Sequence, residues 1–501
     1  EVQPGVLQGR AHAFARLLPG GVGQADKVKL RQPAGEKDLR RDFIAADALQ
    51  AEPILAERLE KEEDVKNLIE MAQKLEGMTR NIGMHAGGVV IAPGKLTDFC
   101  PLYQQPGSDS AVSMFDKDDV EQIGLVKFDF LGLATLTILE IAREFIQKRH
   151  KGQENFKFED IPLDDWPTYK LFQEGKTEAV FQVESRGMQG MLKEAKPSRL
   201  EDLIALNALY RPEPMDLIPS FVARKHGTEV IEYPHPLVEK VLAETYGIMV
   251  YQEQVMQTAQ VLGGYSLGGA DLLRRAMGKK KPEEMAQHRL LFREGAGKQG
   301  IPPEKADEVF DLMEKFAGYG FNKSHAAAYS LLAYHTAWIK VHYTAEFFCG
   351  NMTVEMDNTD KLKVLHEDAL KMGLTFEPPD VNRGGYRFEP VTDKVIRYGL
   401  GAIKGSGQAA IEAIIAARNG QGPGPQGHVQ GPFKSLWDFC TRVDRAKLNK
   451  RTLEALIKAG AFDSIERNRA ALMAATDAAF EFANAQWANA HQGGLFDMMG
   501  D

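Results

Sequence analysis

Little in this sequence points to a redox, membrane or secreted protein. Its 501 residues contain only three cysteines, Cys100, Cys349 and Cys440, far apart and in no CxxC pair, which argues against a zinc module or a disulfide framework and for buried free thiols. No run of about 18 apolar residues occurs, and no basic segment followed by an apolar stretch opens the chain, so neither a membrane span nor a secretory signal is read and the cytoplasm is expected. Basic charge is also scarce: 61 Lys and Arg face 70 Asp and Glu, a net charge of −9. That balance does not advertise a nucleic-acid binder, although only the contacting face decides such binding. No complete Walker or dinucleotide fingerprint appears either, which disfavours an unrelated phosphate-binding metabolic enzyme.

What is present fits a multidomain globular chain, because this length exceeds what one core supports and 44% apolar with 26% charged residues is ordinary. The chain starts with Glu1 rather than Met, and a fragment or processed chain is expected. Residues 1–46 lack a clear period and read as irregular. Residues 47–77 repeat apolar positions at three and four spacing, predicting one or two amphipathic helices stopped by Gly77. Strands are read in "GGVVIAP" (87–93), "AVSMFD" (111–116) and "VKFDFLGL" (126–133), followed by a helix over 135–149. From about 164 to 375 the signals are helical. The stretch 418–433 is 11 of 16 Gly, Pro and Gln and reads as a flexible surface loop; helices resume at 435–487 and "QGGLFDMMGD" reads as a glycine-broken tail.

In "VKFDFLGL" the two-residue period puts Val126, Phe128 and Phe130 on one face, expected to bury, and Lys127 with Asp129 on the other. That pair is either a structural ion pair or half of a site. Arg274, Arg275, Lys279, Lys280 and Lys281 lie within eight residues free of acid, the lysines expected in a turn before a helix at Pro282. The run is a solvated face or a clamp for phosphates. Asn322, Lys323, Ser324 and His325 crowd the start of an apolar helix, where free N–H groups and the dipole favour an anion; capping by Asn322 or Ser324 explains part of this. Tyr319 and Phe321 either stack a base or pack in the core. Paired glycines in "MHAGGVVIAP" admit a close backbone approach beside His85. The Gly-x-Gly of "LGAIKGSGQAAIEAI", with Lys404, Gly405 and Gly407, suits a helix-hairpin-helix contacting a phosphate backbone. "TRVDRAKLNKRTLEALIKAGAFD" adds Arg442, Arg445, Lys447, Lys450 and Arg451 before a second helical pair.

Taken in order, "TRNIGMHAGGVVIAP", "VKFDFLGL", "FQVESRGM", "YRPEPMDLIPSFVARKHG", "YGIMVYQEQVMQ", "GYSLGGADLLRRAMGKKKPEEM" and "GFNKSHAAAYSLLAYHTAWIKVHY" resemble the alpha subunit of bacterial DNA polymerase III, the C-family replicative polymerase, from roughly residue 47 to the end. The resemblance implies an α+β multidomain chain, mostly α. Residues 1–61 are poorly matched, 62–160 look like the C-terminal part of a polymerase-beta-like nucleotidyltransferase palm, and 161–380 like helical fingers. Residues 381–480 look like a tandem helix-hairpin-helix region gripping duplex, and 481–501 like a tail with a sliding-clamp motif. The implied chemistry is addition of dNTPs to a primer 3′ end with Mg²⁺ in a two-metal site. Asp129 falls on the third metal-binding carboxylate and Lys127 on a lysine near the triphosphate. Arg274, Arg275, Asn322, Lys323, Ser324, His325 and His85 would approach the nucleotide; Lys279, Lys280, Lys281, Lys404, Gly405, Gly407, Lys447, Lys450 and Arg451 would approach DNA. Gln492, Leu495 and Phe496 would bind the sliding clamp (beta subunit). Partners implied are primer-template DNA, dNTP, the clamp and other polymerase III holoenzyme subunits, with no membrane.

Four departures qualify these expectations. The Pro-Asp-x-Asp-x-Asp-Phe stretch that carries the family's other two metal carboxylates does not occur in this sequence, and neither does a histidine-rich phosphoesterase-like domain. Residues 1–46 do not follow the pattern. Glu213 stands where "RPGP" is usual. Because one aspartate cannot hold two bridged metals about 3.5–4 Å apart, this chain alone is expected to be inactive. Asp116, Asp118 and Asp119 are substitutes whose turn-like setting suits capping. A non-catalytic DNA- and clamp-binding fragment is the other reading.

Overall fold

The computed structural model describes Leu49 and residues 53–75, 87–104, 107, 111–115, 117–212, 214–279, 282–317, 320–423 and 428–496. Residues 1–46, His85, Asp116, Glu213, Lys280, Lys281 and Tyr319 therefore lie outside the described residues. Two compact units form, one ending at Gly132 and including Arg211–Asp216, the other comprising Leu133–Tyr210 and everything from Leu217 onward.

In the first unit, helices α1 (Pro53–Lys61) and α2 (Glu63–Leu75) divide the predicted helical stretch. Val65 and Ile69, one turn apart, join Leu55 in a small core. Strand β1 (Gly88–Ile91) precedes a hairpin of β2 (Leu102–Gln104) and β3 (Ala111–Ser113), then α3 (Lys117–Gln122) and β4 (Val126–Asp129). Asp118 and Asp119 thus belong to a helix, and the turn-like setting expected of them is not found. Strand β4 pairs antiparallel with β1, Gly88 opposite Asp129, Val89 opposite Phe128, Val90 opposite Lys127 and Ile91 opposite Val126.

The expectation that the phenylalanine face of β4 buries is wrong. Val126 is 54% exposed, Phe128 45% and Phe130 70%, and across the ribbon Val89 and Ile91 are exposed too. The opposite face is the inner one: Val90 packs on the cluster of Cys100, Val120 and Leu125, and it stands beside Lys127. Alternation gives which residues share a face; the position of the neighbouring core decides which face goes inside.

The second unit is mostly helical: α4 (Ala134–Arg149), α5 (Trp166–Gln173), α6 (Arg186–Ala195), α7 (Leu200–Leu209), α8 (Ile218–Lys225), α9 (Glu239–Leu242), α10 (Gln252–Gly263), α11 (Leu267–Lys279), α12 (Pro282–Lys298), α13 (Pro303–Ala317), α14 (Lys323–His342), α15 (Thr344–Val354) and α16 (Thr359–Lys371). Three short strands follow, β5 (Thr375–Glu377), β6 (Glu389–Thr392) and β7 (Val395–Arg397), in the order β5-β7-β6 with β5 parallel to β7. Helices α17 (Gln408–Arg418), α18 (Leu436–Arg442), α19 (Lys450–Lys458) and α20 (Arg469–Phe496) complete it. Helix α20 runs through Gly493 and Gly494, so the tail is not glycine-broken as far as Phe496: an interior glycine costs about 1 kcal/mol, which a long preceding helix can carry.

Three cores hold these helices. One gathers around α14 and α15 with α4 to α7, one around α10 to α13, and one within α17 to α20. Where α12 crosses α10 the backbones almost touch: a Cβ on Gly295 would stand 1.8 Å from the Gly263 carbonyl oxygen, so only glycine permits that crossing. All three cysteines are buried and free, as the sequence implies; burial pushes the Cys440 thiol up to about 12.

The first core encloses a charge. Lys340, with a side chain fully shielded from water, donates to the carbonyls of Lys176 (3.0 Å) and Glu178 (2.7 Å) and to Asp368 Oδ2 (2.7 Å). Those carbonyls lead into a loop where Ala179 and Gln182 adopt left-handed φ of 57° and 66°, a strained geometry that a three-point anchor sustains. Removing one partner of a buried pair strands the other. Lys340→Ala should lower unfolding free energy by about 3–5 kcal/mol, read in urea titration.

Candidate functional site

The cationic residues of the α10–α14 region converge because two distant segments bridge. Gln252 N–H donates to the Phe321 carbonyl (2.9 Å) and Phe321 N–H to the Val250 carbonyl (3.1 Å), a parallel bridge between Tyr251 and Phe321. Buried Gln254 fixes one side with its full hydrogen-bonding capacity. Its Oε1 accepts from Val250 N–H (2.8 Å) and Tyr251 N–H (3.0 Å), and its Nε2 donates to Thr245 Oγ1 (2.8 Å) and the Val241 carbonyl (3.3 Å). On the other side Asn322 caps α14, accepting from His325 N–H at 2.8 Å.

Around that bridge the expected donors meet carboxylates. The N–H of Lys323 donates to Glu253 Oε2 (2.9 Å) and Asn322 Nδ2 to Glu253 Oε1 (3.0 Å). Lys323 Nζ donates to both oxygens of Glu244 (2.7 and 2.9 Å) and lies 5.4 Å from the Tyr251 ring centre. Arg274 donates to Gln252 Oε1 (3.2 Å) and to Asp271 Oδ1 (2.8 Å), and Arg275 pairs with Asp271 Oδ2 (2.9 Å). The hydrogen bond from Arg274 holds the Asp271 carboxyl below its ordinary range. The anion anticipated at this helix start is, in this structure, the chain's own Glu253. Glu244, Glu253, Gln254 and Asp271 carry no local sequence signal, except that Asp271 sits three and four residues before Arg274 and Arg275.

Of the remaining residues expected here, Ser324 is exposed in the first turn of α14. The His325 ring stacks on Tyr329 (4.2 Å between centroids) and meets Phe321 edge-on (5.3 Å). Phe321 is half-buried and packs on the core. Lys279 ends α11 rather than sitting in a turn.

A second constellation forms at the C-terminal core. Gly405, at φ 97°, turns the first hairpin, and Gly407 precedes α17 without a side-chain cap, leaving first-turn amides for an external acceptor. The helix leading into this hairpin is a single 3₁₀ turn, Leu400–Ala402. Asn449 caps α19 by accepting from Thr452 N–H (2.9 Å), and Thr452 Oγ1 donates to the Gly405 carbonyl (3.3 Å). The two hairpin ends are therefore adjacent. Lys404, Lys447, Lys450 and Arg451 are exposed around them; Lys450 pairs with Asp477 (2.6 Å).

Arg442 does not join this basic surface. Its side chain is 1% exposed, and its Nη2 donates to the carbonyls of Ala417 (3.0 Å), Val429 (2.6 Å) and Gly431 (2.8 Å). An Asn419–Gln430 bridge closes the base of the same segment, so the described ends of the 418–433 loop are fastened to the core, while residues 424–427 lie outside the described residues.

In the first unit, Lys127 Nζ lies 3.2 Å from Asp129 Oδ1, with exposures of 17% and 49%. Among the described residues no group of three metal-ligating side chains includes Asp129. The one such group, His150, Glu346 and Asp393, has Arg149 paired with both carboxylates, so its charge is already balanced. The described residues around Asp129 therefore do not fit a two-metal site by themselves.

The family model for the bacterial DNA polymerase III alpha subunit finger domain matches residues 135–300. That for the bacterial DNA polymerase III alpha NTPase domain matches 22–132, reaching into the segment expected to fall outside the pattern, and a helix-hairpin-helix motif matches 373–472. The chain belongs to the bacterial DNA polymerase III alpha subunit family. The DNA polymerase III subunit alpha of Neisseria meningitidis serogroup A is 58% identical over 455 residues, 91% of this chain and 39% of that protein. That of Xylella fastidiosa strain Temecula1 is 53% identical over 476 residues (94% and 38%), and that of Escherichia coli strain K12 is 54% identical over 494 residues (97% and 41%). The chain spans about two-fifths of the length of these relatives.

A half-exposed ion pair such as Lys127–Asp129 contributes at most about 1 kcal/mol to stability. If it exists for chemistry rather than for folding, Asp129→Asn should lower the unfolding free energy read in urea titration by less than that amount; a loss of several kcal/mol would make the pair structural.

Proposed function

We propose that this chain provides the nucleotide-, duplex- and clamp-gripping part of the catalytic subunit of a bacterial replicative DNA polymerase, which extends a primer 3′ end with deoxynucleotides in the cytoplasm. No described helix is long and apolar enough to cross a membrane. Arg274, Arg275, Asn322, Lys323, Ser324 and His325 would receive the nucleotide. Exposed Lys404, Lys447 and Arg451, with the Gly405 and Gly407 turn, would hold the duplex through its phosphates without reading sequence. The observation that carries the reading is the adjacency of the two hairpin ends at Thr452 and Gly405, in a chain whose relatives are polymerase alpha subunits. Two phosphate-facing turns held side by side suit the backbone of one duplex.

Asp129 would supply one carboxylate of a Mg²⁺ site and Lys127 a charge toward the triphosphate; with one carboxylate, no transfer step is assigned to this chain alone. Incubated with Mg²⁺, dNTPs and a primed template, it should not extend the primer, and Asp129-dependent extension would overturn this. The same preparation should bind primed duplex, and Lys404→Ala with Lys447→Ala and Arg451→Ala should flatten the log–log salt dependence by about 3 units, at about 0.9 per lost phosphate contact. Duplex binding without extension is also what the reading as a non-catalytic DNA- and clamp-binding fragment requires.

The end of α20 carries Gln492, Leu495 and Phe496, proposed to engage the sliding clamp, with other holoenzyme subunits as further partners. A clamp pull-down should retain the wild-type chain and lose Leu495→Ala with Phe496→Ala. Equal retention would remove the clamp from the proposal.

A further inference from the structure

The proposed nucleotide group needs its donors, yet four of them, Arg274, Arg275, Asn322 and Lys323, are already engaged by acids that the proposal leaves without a role. Glu253 presents one oxygen to Asn322 Nδ2 and the other to the Lys323 N–H. Glu244 gives both oxygens to Lys323 Nζ. Asp271 spans Arg274 and Arg275. Glu244 and Glu253 reach partners 69 to 79 residues away, so these pairings are made by the tertiary fold and not by helical spacing. Three acids offering paired oxygens to guanidinium, ammonium and helix-start N–H groups present the pattern that a polyphosphate presents.

The pairs are also weakly held. Lys323 is 38% exposed and Glu244 30%, while Arg275 is 64% exposed, a setting in which an ion pair contributes little. The buried Lys340, enclosed by three acceptors, is the contrasting case. A phosphate ester that forms charge-assisted bonds with the same donors can take the place of a carboxylate at low cost. A single phosphate replaces only part of the set and meets repulsion from the acids that stay, whereas a triphosphate replaces them together.

Resting on the reading of these donors as the nucleotide group, we propose that Glu253 and Glu244, with Asp271, are exchangeable counter-anions that set polyphosphate specificity: they hold the donors in place without nucleotide and yield to a triphosphate, rejecting single phosphates.

The test is equilibrium binding of dATP and of inorganic tripolyphosphate to the full 501-residue chain, with orthophosphate as competitor, alongside thermal unfolding of each variant. Glu253→Gln keeps the size and an acceptor oxygen while removing the competing charge. It should tighten both dATP and tripolyphosphate by about two- to fivefold, and Glu244→Gln with Glu253→Gln should let orthophosphate displace dATP where the wild type resists it. Unchanged or weaker binding by a normally folded Glu253→Gln would overturn the exchange and make Glu253 a fixed support of α14. Arg274→Ala with Lys323→Ala separates the two levels. If that variant loses binding while Glu253→Gln gains none, the exchange alone is wrong; if it binds as the wild type does, the nucleotide reading fails and the exchange with it.

Discussion

The α10–α14 region depends on one short contact, the bridge between Tyr251 and Phe321. Two backbone hydrogen bonds, at 2.9 and 3.1 Å, set the start of α14 beside the start of α10, and every charged group of the proposed nucleotide site is referenced to it. Gln252, within the bridge, receives Arg274. Glu253, next along, faces Asn322 and Lys323. Gln254 reaches back to Thr245 and Val241, fixing the turn that carries Glu244. A buried amide with all four hydrogen bonds satisfied is a precise spacer, since any shift leaves a buried donor or acceptor unmade at a cost of about 1–3 kcal/mol.

Cations in the second unit then fall into two physical kinds. Lys340 and Arg442 are enclosed, and their donors are directed at backbone carbonyls. They fasten loops: the strained 179–182 segment in one case, the returning limb of the 418–433 segment in the other. Lys323, Arg274, Arg275, Lys404 and Arg451 remain within reach of water, and those with carboxylate partners can change them. Ligand binding needs the second kind, because a cation that already serves several buried carbonyls has no low-cost way to release them.

These kinds are unequally legible in the sequence, for definable reasons. Helices with three-and-four spacing, caps at Asn322 and Pro282, and the glycine hairpin at 405–407 are local properties and were legible. Arg442 was not, since its place in a basic run says nothing of the carbonyls that meet around it, drawn from residues 417 to 431. Glu253 and Glu244 were invisible for the same reason, lying about 70 residues or more from the groups they pair with. The phenylalanine face of β4 failed differently: periodicity sorted its residues correctly into two faces, while the side that packs was fixed by Cys100, Val120 and Leu125. In α20, glycines that locally read as a break proved weaker than the helix preceding them.

That inversion of β4 sharpens the meaning of its motif. With Val90 and Lys127 on the packed side, Lys127 is held at 17% exposure and Asp129 at the strand end at 49%. Register places Gly88 directly opposite Asp129, so the paired glycines of "HAGGVVIAP" and the aspartate of "VKFDFLGL" are one structural feature made from two strands. A residue with a side chain at position 88 would fill the space beside the carboxylate. The glycine keeps that space clear on the Lys127 side, while the far side of the ribbon presents Val89, Ile91, Val126 and Phe128. A two-stranded ribbon is marginal by itself, and the packing of Val90 on Cys100, Val120 and Leu125 is what holds this one in the register that sets Gly88 against Asp129.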